Sequence, residues 1–215
     1  CALTGLEVLI LEMPIHQNNK QVDRGLKHID WLKENFENVR RVELELTPVF
    51  DRFISLIPLG EEKHELALVN TRARLRMTTL YYFAQANNSL VLGTGNKVED
   101  FGIGFFTKYG DGGVDISPIA DLLKTEVYTL GKELGIDTEI LKAAPTDGLW
   151  GEDKTDEDQI GASYQELEWA MAFSGDKNAL TTREKQVLDI YTKMNKANQH
   201  KMHAIPVCKI PNTLK

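Results

Sequence analysis

Apolar and polar positions alternate along this chain in two different periods, and the switch between them sets out its elements. Glu7 to Met13 is an apolar run bounded by polar residues, which predicts a strand. Val22, Leu26, Ile29, Leu32 and Phe36 then recur every three or four residues through charged sequence, the signature of an amphipathic helix. Val42 to Leu46 alternates with period two and reads as a half-buried strand. Thr47-Pro48 breaks it, a short helix is expected over Phe53 to Ile57, and Gly60 to His64 reads as a polar loop. Leu66 to Asn87 predicts a long helix ended by Asn87-Asn88, and Ser89 to Leu92 a short buried strand running straight into Gly93-Thr94-Gly95. Farther on, Pro118 marks a helix start, with Leu122, Leu123, Val127 and Leu130 carrying that helix to Gly135. Ile136 to Lys142 gives a further short helix, and Ala162 to Phe173 and Thr182 to Asn198 two longer ones. Strands separated by helices imply an α/β fold, a doubly wound parallel sheet with helices on both faces.

Between Gly93 and Pro118 the pattern fails, and the stretch GTGNKVEDFGIGFFTKYGDGGVDISP takes its place with seven glycines. It is expected as a long loop at the carboxyl end of a strand, where open α/β sheets bind ligands. Its glycines would let backbone amides approach an anion, and Asn96, Lys97, Glu99, Asp100, Lys108, Asp111 and Asp115 supply oxygen and ammonium groups. A second polar loop is expected at Pro145 to Trp150. The charged stretch Gly151 to Asp158 reads as mobile until something orders it.

At 215 residues the chain suits a single domain. Its 25 Lys+Arg against 32 Asp+Glu leave a net charge of −7, which argues against general affinity for nucleic acid or anionic membranes. Cys1 and Cys208 are the only cysteines and form neither a disulfide framework nor a zinc spacing, which fits a reducing, cytoplasmic setting. No apolar run approaches the ~18 residues of a membrane span. The chain opens on Cys1 rather than Met, and Thr4-Gly5 resembles a helix end with its C-terminal glycine. A preceding strand and loop are therefore expected upstream.

Individual residues carry less than the pattern does. Arg72, Arg74 and Arg76 lie two apart on a helix and point in different directions, so they cannot share one ligand. Glu99 could hold Mg²⁺ beside a nucleotide phosphate or simply be solvated, and Lys108 and Lys124 could neutralise phosphates or be ordinary surface lysines. Thr94 and Thr146 suit a phosphate or ribose contact or a helix cap. His200-Lys201, expected just past the last helix, could face an anion or favour the helix C-terminus. The common nucleotide fingerprints, G-x-x-x-x-G-K-[ST] and G-x-G-x-x-G opening a helix, are absent.

Taken together, NTRARLRM, GTGNKVEDFGIGFFTKYGDGGVDISPIADLLK, PTDGLW, TDEDQIGASYQELE and His200-Lys201 resemble the NAD synthetase family, of the adenine-nucleotide α-hydrolase-like, ATP-pyrophosphatase fold. The resemblance covers nearly the whole chain and is most specific in TKYGDGG. It implies adenylylation of deamido-NAD by ATP and displacement of AMP by ammonia, in a site that closes before chemistry with Gly151 to Asp158 as its lid. By motif position, Arg74, Lys108, Asp115, His200 and Lys201 would contact deamido-NAD, Thr94, Lys124 and Thr146 would contact ATP, and Glu99 would bind Mg²⁺. It also implies a homodimer. The family's SGGxDS pyrophosphate loop is not in this sequence and is expected before Cys1. Met202 stands where many relatives have a basic residue. Two alternatives stay open: another ligase of this fold, GMP-synthetase-like or tRNA-thiolating, and a nucleotide-binding module without catalysis.

Overall fold

A computed structural model describes residues 1–58, 64–146 and 155–214. A short 3-10 helix, Ala2–Thr4, ends at Gly5 in the left-handed conformation (φ 75°), as the Thr-Gly pair predicts. Strand β1 is Val8–Glu12. Helix α1, Asn19–Asn35, starts where the Asn18 side chain accepts from the Lys20 amide, and returns the chain to β2, Val39–Glu43. The two strands run parallel, Val8 opposite Val39 and Glu12 opposite Glu43. β2 thus begins three residues before the alternating stretch, because Arg41 is held by Glu12 and Glu43 and breaks the apolar pattern there. Pairing nonetheless continues past β2, with the Leu44 amide donating to Glu12 and the Leu46 amide to Pro14.

Helix α2 spans Thr47–Ser55, longer and earlier than expected. Pro48 does not break it, since a proline in the first turn gives up an amide that has no helical partner. Helix α3, Glu65–Ala86, matches its expected span. Its arginines find three separate partners. Arg72 lies over the Phe50 ring (5.1 Å), Arg74 donates to the Lys108 carbonyl (3.4 Å) and Arg76 to the Met13 carbonyl (2.9 Å).

The expected strand Ser89 to Leu92 is reduced to one parallel bridge, Leu92 to Ile116. The Asp115 carboxylate explains why: it accepts from the Val91 amide (2.8 Å), so a side chain takes what a neighbouring strand would. The helix expected from Pro118 begins instead as α4, Lys124–Glu133. Residues 117–122 form turns, and the Leu122 carbonyl accepts from Lys97 (2.8 Å) rather than from the next helical turn. Helices α5 (Thr138–Leu141), α6 (Asp156–Ile160), α7 (Tyr164–Ala172) and α8 (Thr182–Met202) complete the order. α6, α7 and α8 each open on a capping box, at Thr155/Asp158, Ser163/Glu166 and Thr181/Glu184. His200 and Lys201 therefore lie within the last turn of α8 rather than beyond it.

The fold is α/β with parallel strand pairing. One core cluster joins Val98 and Ile103 to Tyr164, Leu167 and Ala170 of α7 and to Val187 of α8. A second packs Ile15, Leu46 and Phe50 under α3. Of the expected loops, residues 60–63 and 147–154 lie outside the described residues, so the proposed lid is described only from Thr155 on, where α6 starts. Among the described residues no helix is long and apolar enough to cross a membrane.

Candidate functional site

The glycine-rich segment is not a loop throughout. Lys97–Ile103 forms a π-helix, the wide turn that recurs at functional positions. Asn96, 2% exposed, caps it: its Oδ1 accepts from the amides of Val98 (3.0 Å) and Glu99 (3.1 Å). Val98 and Ile103 anchor the turn in the core, and Gly104, at φ 63°, ends it in a conformation that favours glycine. Several glycines here serve protein packing. A Cβ on Gly104 would lie 2.4 Å from the Asn198 Cβ, and one on Gly95 would lie 2.2 Å from the Asp100 carboxylate oxygens. That crowded carboxyl is pushed up to about 6, by burial first and then by the neighbouring Glu99 and Asp111 charges.

This turn aims Glu99 inward. Its Oε1 accepts from Lys124 Nζ (2.8 Å) and from the Tyr164 hydroxyl (2.6 Å). The Glu99 and Lys124 side chains are only 15% and 18% exposed. Tyr164 is 4% exposed; its hydroxyl also lies 3.4 Å from Asp156 Oδ2, and its ring lies 4.7 Å beneath Lys124 Nζ. Burial, reinforced by the Glu99 carboxylate, holds that phenol protonated far above the ordinary tyrosine range. Lys124 and Thr146 line one cavity of about 380 Å³, together with Tyr128 and Gln21.

At the other end of the segment four of the five residues assigned to deamido-NAD come together. Arg74 donates to the Lys108 carbonyl, and Lys108 Nζ donates to the His200 carbonyl. Lys201 Nζ donates to the carbonyls of Gly104 (2.9 Å) and Phe106 (2.8 Å); burial lowers its pKa and Asp111 opposes that shift. Asn195 and Asn198 fasten α8 to the same backbone at Gly102 (2.7 Å) and Ile103 (2.8 Å). Lys201 and Thr94 both line a larger cavity of about 630 Å³ between β1, α3 and the glycine-rich segment. Asp115 stands apart from this group, accepting from Tyr81 (3.0 Å) and Val91.

Tyr164 and Asp156 are the residues that sequence reasoning passed over, while Asn96, expected as a ligand group, serves as a cap. Tyr164 sits in phase with Leu167 and Ala170 and reads as core; its hydroxyl matters only because Glu99, 65 positions away, lies against it.

Parallel strand pairing joined by helices places the chain in the α/β class, with lysines, threonines and the Glu99 carboxylate gathered beyond the Leu92 bridge, at the kind of position where such folds bind ligands. The NAD synthase family model matches residues 1–205. The chain belongs to the NAD synthase family. It is 39% identical over 169 residues to the NH(3)-dependent NAD(+) synthetase of Carboxydothermus hydrogenoformans, covering 78% of this chain and 66% of that protein. To the protein of the same name from Mesoplasma florum it is 45% identical over 135 residues, 62% of this chain and 54% of the relative. The chain thus spans less than two thirds of the length of these two relatives. Among solved structures, that of NMN synthetase from Francisella tularensis superposes with a TM-score of 0.81 at 30% identity, covering 98% of this chain and 81% of the other.

Proposed function

We propose that this chain amidates deamido-NAD to NAD with ammonia, consuming ATP and releasing AMP and pyrophosphate. The observation that carries the reading is the arrangement of one segment: a basic group of Arg74, Lys108, His200 and Lys201 at one end, and the Glu99–Lys124 pair beside Thr146 at the other. The curated relatives share the name NH(3)-dependent NAD(+) synthetase, which fits. Bringing a nicotinate carboxylate up to the α-phosphate of ATP sets two anions against each other, and clustered cations lower that repulsion. In this reading Thr94, Lys124 and Thr146 serve ATP, and Arg74, Lys108, Asp115, His200 and Lys201 serve the dinucleotide. The present bonds of Asp115 to Tyr81 and Val91 hold the backbone beside Val114, which lines the larger cavity.

Glu99 fits as the Mg²⁺ ligand, because its carboxylate already holds a cation, the Lys124 ammonium, at a mostly buried position. Among the described residues no group of three or more His, Cys, Asp or Glu could hold a metal ion. A Mg²⁺ bound through one carboxylate and substrate phosphates is the ordinary arrangement. When bound it would neutralise charge on the leaving pyrophosphate. A cytoplasmic homodimer completes the proposal, and light scattering at working concentration tests the dimer.

The decisive assay incubates the purified full-length natural protein with deamido-NAD, ATP, magnesium and ammonium and detects NAD by a coupled alcohol dehydrogenase. NAD formation that needs all four is expected. The likeness to an NMN synthetase favours a second reading, amidation of nicotinate mononucleotide, and a parallel reaction with that substrate decides between them. Turnover of xanthosine monophosphate instead, or tight deamido-NAD binding with no turnover of any of the three, would overturn both.

A further inference from the structure

Lys124 is an odd occupant of its position. It is the first residue of α4, where the helix dipole disfavours a cation, so the helix does nothing to keep it there. What holds it is Glu99, at 2.8 Å, with the Tyr164 ring beneath. A carboxylate that is 15% exposed needs a cation or several donors to offset its desolvation. Lys124 and Tyr164 together meet that need, and both act on the same oxygen, Oε1.

We infer that Lys124 is a placeholder cation at Glu99, displaced when a divalent cation arrives with its nucleotide, and that Tyr164 is the positioning residue that keeps the carboxylate aimed through the exchange. A divalent cation on Glu99 repels the ammonium beside it. Lys124 already lines the same cavity as Thr146, so a displaced side chain turns toward the space where phosphates are assigned. One lysine thereby balances Glu99 in the empty protein and the phosphates in the loaded one. Tyr164 suits the fixed part: it is 4% exposed, rooted in the core with Leu167 and Ala170, and its hydroxyl lies 2.6 Å from Glu99 Oε1. A consequence is that the protein binds a divalent cation poorly by itself and well only with nucleotide. The inference rests on the reading of Glu99 as the metal ligand.

The test uses Mn²⁺ as the probe, its free fraction read by electron paramagnetic resonance on the full chain, with and without a non-hydrolysable ATP analogue. Without analogue, Lys124→Met is expected to bind Mn²⁺ at least about tenfold tighter than the unmodified chain, because the ion no longer competes with an ammonium for the Glu99 carboxylate. Adding Glu99→Gln to that variant should abolish the gain. Tyr164→Phe should weaken Mn²⁺ binding in the presence of analogue, while its circular dichroism stays that of the unmodified chain. Lys124→Gln, nearly as long and still polar, repeats the first measurement if the methionine variant does not fold. If Glu99→Gln leaves analogue-dependent Mn²⁺ binding intact, the metal-ligand reading itself falls. If Glu99→Gln weakens that binding but neither Lys124 variant gains affinity without analogue, the metal reading stands and the placeholder is refuted.

Discussion

Replacing Asn96 with alanine isolates the step that turns a glycine-rich stretch into a platform for Glu99. Asn96 is 2% exposed and its Oδ1 accepts from two amides of the π-helix, Val98 and Glu99. Loss of an N-cap costs ~0.5–2 kcal/mol, and leaving a buried amide unsatisfied adds ~1–3 kcal/mol. Because the Val98 side chain is fully buried, solvent cannot readily take over, and the summed expectation is about 2–4 kcal/mol. In urea, with m of ~2–3 kcal/mol/M for a chain of this size, the midpoint should fall by ~1 M with m unchanged. Far-UV circular dichroism follows the helices, while tryptophan fluorescence includes Trp169, which packs against the cluster containing Val98. The two transitions should move together. Asn96→Ser keeps a capping oxygen and should lose less than the alanine variant. A loss below ~0.5 kcal/mol for Asn96→Ala, the scale of an ordinary surface change, would refute the capping argument, and equal losses for Ser and Ala would assign the effect to packing instead.

Two further outcomes follow from other parts of the chain. Arg183 grips Glu166 through two bonds, 2.6 and 2.7 Å, and holds its carboxyl down at about 2. A folded-state pKa below the unfolded value of ~4.3 gives stability that is present above about pH 5 and lost as pH falls toward 2. Arg183 is half exposed, so the worth is about 1 kcal/mol or less, and the stability gap between the unmodified chain and Arg183→Met should close on acidification; an undiminished gap at pH ~2 would reject the pairing. Gly104→Ala combines a left-handed φ of 63° with a Cβ 2.4 Å from that of Asn198. Strain and overpacking of about 2–4 kcal/mol should lower the melting temperature by ~5–10 °C, and a variant melting with the unmodified chain would show that α8 yields easily.

How much of this fold was readable depends on where each hydrogen bond goes. α3 follows from its own periodicity and its terminal asparagines, and the Gly5 helix end from one dipeptide, because the responsible interactions are local. The strand at Ser89 to Leu92 fails as a strand because Asp115, 24 positions on, supplies the acceptor for Val91. The helix expected from Pro118 is delayed to Lys124 because Lys97 takes the Leu122 carbonyl. A π-helix has no sequence period of its own to recognise, and Gly102 inside it reads as a loop residue.

The candidate site divides along the same line. Residue types and motif order named Glu99, Lys124, Arg74, Lys108, His200 and Lys201, but nothing in their spacing says which of them touch. Lys108 meets His200 across 92 positions, and Tyr164 meets Glu99 across 65. Those contacts change what the residues mean, since several assigned ligand groups spend their donors on protein carbonyls in this structure. Lys108 and Lys201 in particular tie the end of α8 to residues 104–106 and to His200 itself. A cation so engaged offers a ligand only its remaining donors, and burial lowers the pKa of Lys201. Substituting Lys201 should therefore disturb the packing of α8 as well as dinucleotide affinity, whereas Lys124 is held by a carboxylate side chain that can exchange partners.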